Sequence, residues 1–338
     1  MAGIVFTEGS GVADSIFGKS QAPIRMFLEK RGEACEKKSI LPLLFNMETS
    51  KNWAEKYTYM TSMEGFKPVG ENGSYPRDEM QEGFSKTFEH MVWKDHFPIS
   101  RESVDDSKTL DLTKRPLQFI QGYYRTREKF GAQLFGTAIN GEKSFKLNKM
   151  TFDATCADGE TLFSKTHKSC TGKCKAQSNK FSDAFSNDAL MALESKMQDF
   201  ADDNGEILDI APDTILIPNE YNLKKAVFAA IGADKDPNTA NNGFNYNFGR
   251  WNVIIWPYLN RFIKTGTLPY VLAASEYNKD HGGAVWLDRV ALEIGSHIDN
   301  GNDANVWKGY SRFTAGFNDW RAFAVGGVSD GDKLISTT

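Results

Sequence analysis

The chain has 338 residues, 40% apolar and 25% charged, which is enough for about two folded units and unlike a disordered, fibrous or disulfide-stapled chain. Its 40 basic residues against 44 acidic ones leave a net charge of −4, without the basic excess by which a dedicated nucleic-acid binder displaces counterions from phosphates. No stretch approaches the ~20 apolar residues a membrane-spanning helix needs, and Met1 to Glu8 lacks the features of a secretion signal. Synthesis and retention in the cytoplasm are expected, with Cys35, Cys156, Cys170 and Cys174 held reduced.

Residues 1–49 read as an extended or loosely helical arm, with scattered glycines and a mixed-charge run from Arg25 to Arg31. Its apolar groups Ile16-Phe17, Met26 to Leu28 and Leu43 to Phe45 must be buried on the body or on another copy of the chain. Trp53 to Glu102 reads as a projecting two-stranded ribbon. Tyr57 to Tyr59 and Phe84 to Phe88 have strand composition, Asn72-Gly73 suits a hairpin tip, and Pro68, Pro76 and the charges from Arg77 to Glu82 make the centre a poor buried strand.

From Pro116 to Ile139, Ile120, Tyr123, Tyr124, Phe130, Gly131, Leu134 and Ala138 recur at three- and four-residue steps, with only Arg127 interrupting the stripe. This predicts a rod-like amphipathic helix about 36 Å long, opened by Pro116 and stopped at Asn140-Gly141, with Glu128 on its exposed side. A second helix is predicted from Ser186 or Asn187 to Phe200. A buried strand follows at Thr214 to Ile217, then a third helix from Glu220 to Ile231 capped by Asn219. After a loop rich in Asn, Asp236 to Asn247, strand-like runs dominate: Trp251 to Trp256, Tyr270 to Ala274, Ala284 to Leu287, Val290 to Ile294 and Ser311 to Ala324. The fold class is α+β, with most of the β content late.

Motifs for chemistry are sparse. Gly18-Lys19-Ser20 could end a phosphate loop, but Ala13 stands where that spacing requires glycine. Cys156, His167, Cys170 and Cys174 are zinc-ligand types in one short stretch, yet their spacing matches no common finger. The interleaved Lys165, Lys168, Lys173 and Lys175 favour a mobile solvated loop with free thiols. His90, His96, His281 and His297 accompany no nucleophile elbow and read as surface or core residues. The pairs Asp105-Asp106 and Asp202-Asp203 read as solvated charges, and the tryptophans from Trp251 onward as core. No catalytic, cofactor-binding or metal residue is assigned.

The order of parts resembles the major capsid (head) proteins of tailed bacteriophages with the Hong Kong ninety-seven fold. Phe97 to Glu102 with Asp105-Asp106 resembles the return from the family's extended loop. Asp158 to His167 resembles the D-G-x-x-L-F-S-x-x-H segment of the Mu-type head subunits. Ile207 to Pro218 is similar to the passage into the axial domain, and Asn318 to Arg321 to a C-terminal strand of the peripheral domain.

The resemblance implies an arm (1–49), an extended loop (50–100), a peripheral domain with a spine helix (101–217), an axial domain (218–305) and C-terminal strands returning to the peripheral domain (306–338). It implies a non-enzymatic protein without cofactors, assembling with itself as hexamers and pentamers into the icosahedral shell of the virion. Scaffold, portal and head-completion proteins would be its partners, with packaged double-stranded DNA held weakly, no membrane, and assembly in the host bacterial cytoplasm. A scaffold is expected to be a separate protein or a segment already removed. Lys67 and Lys86 lie in the extended loop, where some members form a Lys to Asn cross-link, but no such activity is assigned. The alternatives are an encapsulin-like compartment and a zinc-dependent enzyme using Cys156, His167, Cys170 and Cys174.

Overall fold

The computed structural model describes residues 5–6, 18–61, 63, 65–77, 80–106, 114–232 and 244–335. Strand β1 (Val5–Phe6) is followed by helix α1 (Gly18–Glu36), a single turn α2 (Leu41–Leu44) and strand β2 (Asn46–Thr49). The arm is thus more regular than expected. Leu28 of α1 is fully buried beside Ile99, Phe119, Ile120 and Trp307, and this tertiary contact stabilises a helix that its glycines and Pro23 do not advertise.

Strands β3 (Ala54–Met60) and β4 (Glu82–Glu89) pair antiparallel, with Tyr57 opposite Lys86 and Glu55 opposite Phe88. They form the stem of the expected ribbon. At its far end Gly73 N–H donates to Gly70 O at 2.9 Å, and Asn72 takes φ 62°. Of the Asn72-Gly73 pair, only Asn72 is left-handed. Strand β5 (Met91–Ile99) then crosses into a different sheet.

Beyond the short helix α3 (Arg101–Asp105) runs α4 (Arg115–Ile139), 25 residues long. A hairpin of β6 (Ser144–Leu147) and β7 (Met150–Asp153) leads to α5 (Asn187–Gln198), where Ser186 Oγ accepts from Ala189 N–H as the cap. Strand β8 (Thr214–Pro218) and helix α6 (Tyr221–Gly232) follow as expected. The cap of α6, however, is Glu220, whose Oε2 accepts from Leu223 N–H at 2.7 Å. Asn219 instead accepts from Lys224 Nζ. The last part comprises β9 (Asn252–Trp256), a tight turn at Pro257–Arg261, β10 (Tyr270–Ala273), α7 (Ser275–His281), β11 (Ala284–Asp299), β12 (Ala304–Phe317) and β13 (Phe323–Gly326). The two predicted runs at Ala284 and Val290 are one strand, β11, with register shifts between Asp288 and Glu293.

Two sheets result. In the first, β5 and β11 flank β12, and β1 and β2 run parallel along the far edge of β11; in the second the order is β13-β10-β8-β9. Helix α4 packs on both. Phe130 lies 5.5 Å from Trp93, 6.0 Å from Trp286 and 6.1 Å from Phe313 in the first sheet. Phe135 lies 6.1 Å from Trp256 and 5.5 Å from Phe323 in the second. The five late tryptophans are buried, as expected.

Arg127, the one break in the apolar stripe, is largely covered, its side chain 13% exposed. Its guanidinium donates to both carboxylate oxygens of Asp288, at 2.8 and 2.9 Å, and lies 4.8 Å over Trp286. Glu128 is not the free surface residue that its helical position suggests. Its Oε1 accepts from Ser39 Oγ at 2.6 Å and Ile40 N–H at 3.0 Å, and its Oε2 from Trp256 Nε1 at 2.9 Å, which ties α2 and β9 to the rod.

These contacts give two expected outcomes in urea denaturation of the unassembled chain. Arg127→Ala leaves the largely covered Asp288 carboxylate with only the Trp286 indole N–H as side-chain partner and costs about 2–3 kcal/mol. Glu128→Gln places an amide N–H against the Trp256 indole N–H and costs about 1–3 kcal/mol; a change within error would show that Glu128 contributes nothing to the join.

Candidate functional site

The functional surface is sought where the ribbon leaves the body. Lys86 in β4 forms an ion pair with Asp153 at 3.0 Å and donates to the Thr155 carbonyl. Tyr57 donates to Glu48, and its ring meets Phe88 edge-on, above Val285 and Leu287. Tyr59 closes the root from the other strand position: a Cβ on Gly83 would lie 2.4 Å from its ring, so only glycine lets the strands close there.

Beneath Tyr59 is a buried polar hub. Arg321 donates through Nε to Ala201 O at 3.0 Å and through Nη1 to Asp319 at 3.1 Å. Its Nη2 lies 3.5 Å from Asp203, and its guanidinium is 5.4 Å from the Tyr59 ring. Tyr277 donates to Asp319 at 2.9 Å. Burial, reinforced by the neighbouring Asp203, pushes Tyr59 well above the usual tyrosine range; burial and Asp319 do the same to Tyr277.

Asp202 and Asp203 are therefore not solvated. Asp203 is fully buried against Arg321, and Asp202 Oδ1 accepts from Asn204 N–H and Glu206 N–H, both at 2.9 Å, in a turn whose amides replace water. Asp106, by contrast, is exposed.

The four zinc-type residues do not converge as a donor set. Both ring nitrogens of buried His167 face oxygens, Asp158 Oδ2 at 2.6 Å and Asn179 Oδ1 at 3.1 Å, while its ring stacks on Trp320 at 4.2 Å. Cys156 is buried, and burial drives its thiol pKa up. Cys170 lies beside Tyr59 and Asp203, and Cys174 Sγ accepts from Gln177. Among the described residues no group of three or more His, Cys, Asp or Glu is placed to hold a metal ion.

The loop carrying them is not the mobile segment its lysines suggest. His167 and Gln177 exchange backbone hydrogen bonds at 2.8 and 3.0 Å, the Gln177 side chain bonds Ala201 in both directions at 2.9 Å, and Asp203 receives Cys170 N–H at 2.8 Å. Of the other histidines, His90 is buried where β4 passes to β5, His96 is exposed, and His281 stacks on Tyr277 at 4.0 Å.

Two surfaces leave large apolar groups uncovered. On the ribbon, Phe66 and Tyr75 are wholly exposed, and Met63, Val69 and Met80 are more than half exposed. Around α6, Tyr221, Phe228, Phe244, Tyr246 and Phe248 are exposed. Most of the predicted Asn-rich loop, residues 233–243, lies outside the described residues. Its end is anchored, since Asn245 donates to Ala230 O at 2.6 Å and Asn247 to Asn187 at 2.6 Å.

A family model described as phage capsid protein matches residues 93–326. The chain belongs to the phage capsid protein family. Among solved structures it resembles the mature capsid of bacteriophage PhiM1, with 10% identity, a TM-score of 0.50 and 85% of each chain covered. It also resembles the capsid of the cyanophage P-SCSP1u, with 8% identity, a TM-score of 0.51, and 84% of this chain and 86% of that one covered. Likenesses at such identity concern the fold, which is of the Hong Kong ninety-seven type. No curated protein matches the sequence. The family match is to phage capsid protein as a whole, broader than the Mu-type group that Asp158 to His167 resembles. The capsid protein is a structural component of the phage head, and among its described residues no helix is long and apolar enough to cross a membrane.

Two outcomes test this site. Tyr59→Phe removes the hydroxyl beside Asp203 at a cost of about 1 kcal/mol and should speed amide exchange in β3 and β4 while leaving α4 protected; unchanged exchange there would separate the ribbon from the hub. Burial alone would raise Asp158, but the hydrogen bond and charge of His167 outweigh it, and its pKa is lowered. A carboxylate lowered by folding contributes stability above its unfolded pKa and loses it as pH falls through the folded value. Asp158→Asn should accordingly flatten the acid limb of a stability-against-pH curve and leave its alkaline limb unchanged.

Proposed function

We propose that this capsid protein is the major head subunit, which builds the icosahedral shell around phage double-stranded DNA by repeated contacts with copies of itself. The observation that carries the reading is the ribbon. A stem pinned at its root by Lys86, Tyr57 and Tyr59 holds out an end on which Phe66 and Tyr75 have no cover, and such a surface is stable in water only when another chain covers it. Closed rings of five and six provide that cover with one chain type. The aromatic patch around α6 suits contacts near a ring axis, and the sheet of β8, β9, β10 and β13 with α6 is the natural axial unit.

The further partners of this reading are a scaffold, the portal and head-completion proteins in the host cytoplasm. With a net charge of −4, contact with packaged DNA is weak, local and salt-dependent.

Deleting Glu71 to Met80 tests it. The segment's described residues, 71–77 and Met80, are exposed in the single subunit, so folding stability should change by about 1 kcal/mol or less. Wild-type chains should sediment as megadalton shells, whereas the deletion variant stays soluble, keeps its circular dichroism and stops at subunits or capsomers. A wild-type chain remaining near its single-chain mass of 37.8 kDa, or complete shells from the deletion variant, would overturn the assignment.

A further inference from the structure

The lysine loop next to the ribbon root is a second surface held in place without an evident internal purpose. Lys168, Lys173 and Lys175 are exposed and have no acidic partner among the described residues; only Lys165 pairs, with Asp332 at 3.5 Å. Their backbone is anchored by the His167–Gln177 pairing and by Asp203, whose carbonyl accepts from Ser169 Oγ at 2.9 Å and from Thr171 Oγ1. A lysine set on an anchored loop loses less freedom on binding than one on a mobile loop, and so binds an anion at lower entropic cost. At the foot of the loop stands Ile207, 66% exposed, in a bridge with Ala201, which also bonds Gln177.

We propose that the Lys168–Lys175 loop, with Ile207, is the seat for the outer ribbon of a second copy of this chain. This rests on the shell-building reading and names the surface that receives the ribbon. The charges complement each other. Residues 64–82 contain Glu64, Glu71, Asp78, Glu79 and Glu82 against Lys67 and Arg77, in a chain whose overall charge is also negative. The apolar parts complement each other as well: the ribbon offers Phe66 and Tyr75, both uncovered, and the seat offers Ile207. A DNA backbone would satisfy the lysines but has no apolar group for Ile207, which favours the ribbon. Residues 65–77 are exposed throughout, so both components of the pair are accessible in the single subunit.

A charge exchange in the full chain tests this. The K168E/K173E/K175E variant and the E71K/E82K variant, each soluble and with native circular dichroism, should each lower the yield of shells by about tenfold, because several weak pairs repeated in every subunit become repulsions. Combining all five substitutions should restore the yield to near wild type, and the loss in either parent should shrink at high salt. Shells from the loop variant at wild-type yield, or no recovery in the combined variant, would overturn the seat while leaving the shell reading intact. Normal shells that retain less DNA would assign the loop to nucleic acid instead. Failure of the wild-type chain to assemble would overturn the shell reading and this one with it.

Discussion

One helix must satisfy two sheets at once, and the rest of the subunit is arranged around that demand. Along α4, Phe119, Ile120 and Phe130 face the sheet of β5, β11 and β12, and a little over a turn later Phe135 faces Trp256 of β9 and Phe323 of β13. Phe130 and Phe135 are the aromatic anchors of the two contacts. Gly136 shows how close the second contact is: a Cβ there would stand 2.5 Å from the Phe262 side chain. A glycine inside a helix costs about 1 kcal/mol relative to alanine, so its presence is explained by packing and not by helix formation. One turn before Phe130 sits the Arg127–Asp288 pair. A buried ion pair adds little net stability over an apolar pair, but its bidentate geometry permits one angle between the rod and β11. Rigidity of the rod against both sheets makes the subunit a tile of defined shape.

The ribbon is joined to that tile differently. Its root joins an apolar contact, Phe88 and Tyr57 on Val285 and Leu287, to polar ones, Lys86 to Asp153, Tyr57 to Glu48 and Tyr59 to the Arg321 hub. The directional bonds set the direction in which the stem leaves, which the apolar contact by itself would not. Beyond Met60 and Glu82 the regular pairing ends, and the outer ribbon is free to adopt the shape of what it lies on. A rigid root with an adaptable end is what a contact repeated in slightly different local geometries requires.

The sequence makes visible those elements whose cause is local. The α4 stripe, the Pro-bracketed strand β8, the Ser186 cap and the Tyr57–Tyr59 and Phe84–Phe88 strands all follow from neighbouring residues. What escapes is caused by residues far along the chain. Glu128 looks solvent-facing until Trp256, 128 positions away, presents its indole N–H. Asp203 looks solvated until Arg321 arrives to neutralise it, and the lysine loop looks mobile because its anchor, that same Asp203, lies 33 positions beyond Cys170. Helix α1 was hidden for a like reason, since Leu28 finds its cover only on the first sheet and α4. The ribbon was legible as a projecting hairpin from its prolines and charges, but these drew attention from Phe66, Val69 and Tyr75, whose lack of cover is apparent only once the fold is known.

That mixture of charge and exposed apolar groups on one segment has a physical logic for a subunit that must remain soluble before it assembles. A continuous apolar edge would pair with any other edge it met. Here Pro68 and Pro76 interrupt the backbone donors, Lys67 and Glu71 separate Phe66, Val69 and Tyr75 from one another, and the ladder between β3 and β4 stops before the apolar part begins. Each apolar group alone is too small a patch to drive indiscriminate association, yet all of them can be buried together on a surface that also answers the charges. Binding strength then depends on the match and not on the area alone, and because each contact recurs in every subunit of a closed assembly, small individual energies suffice. The segment therefore discourages wrong association through its charges and prolines, and its apolar groups add their weight only where a partner surface accommodates both.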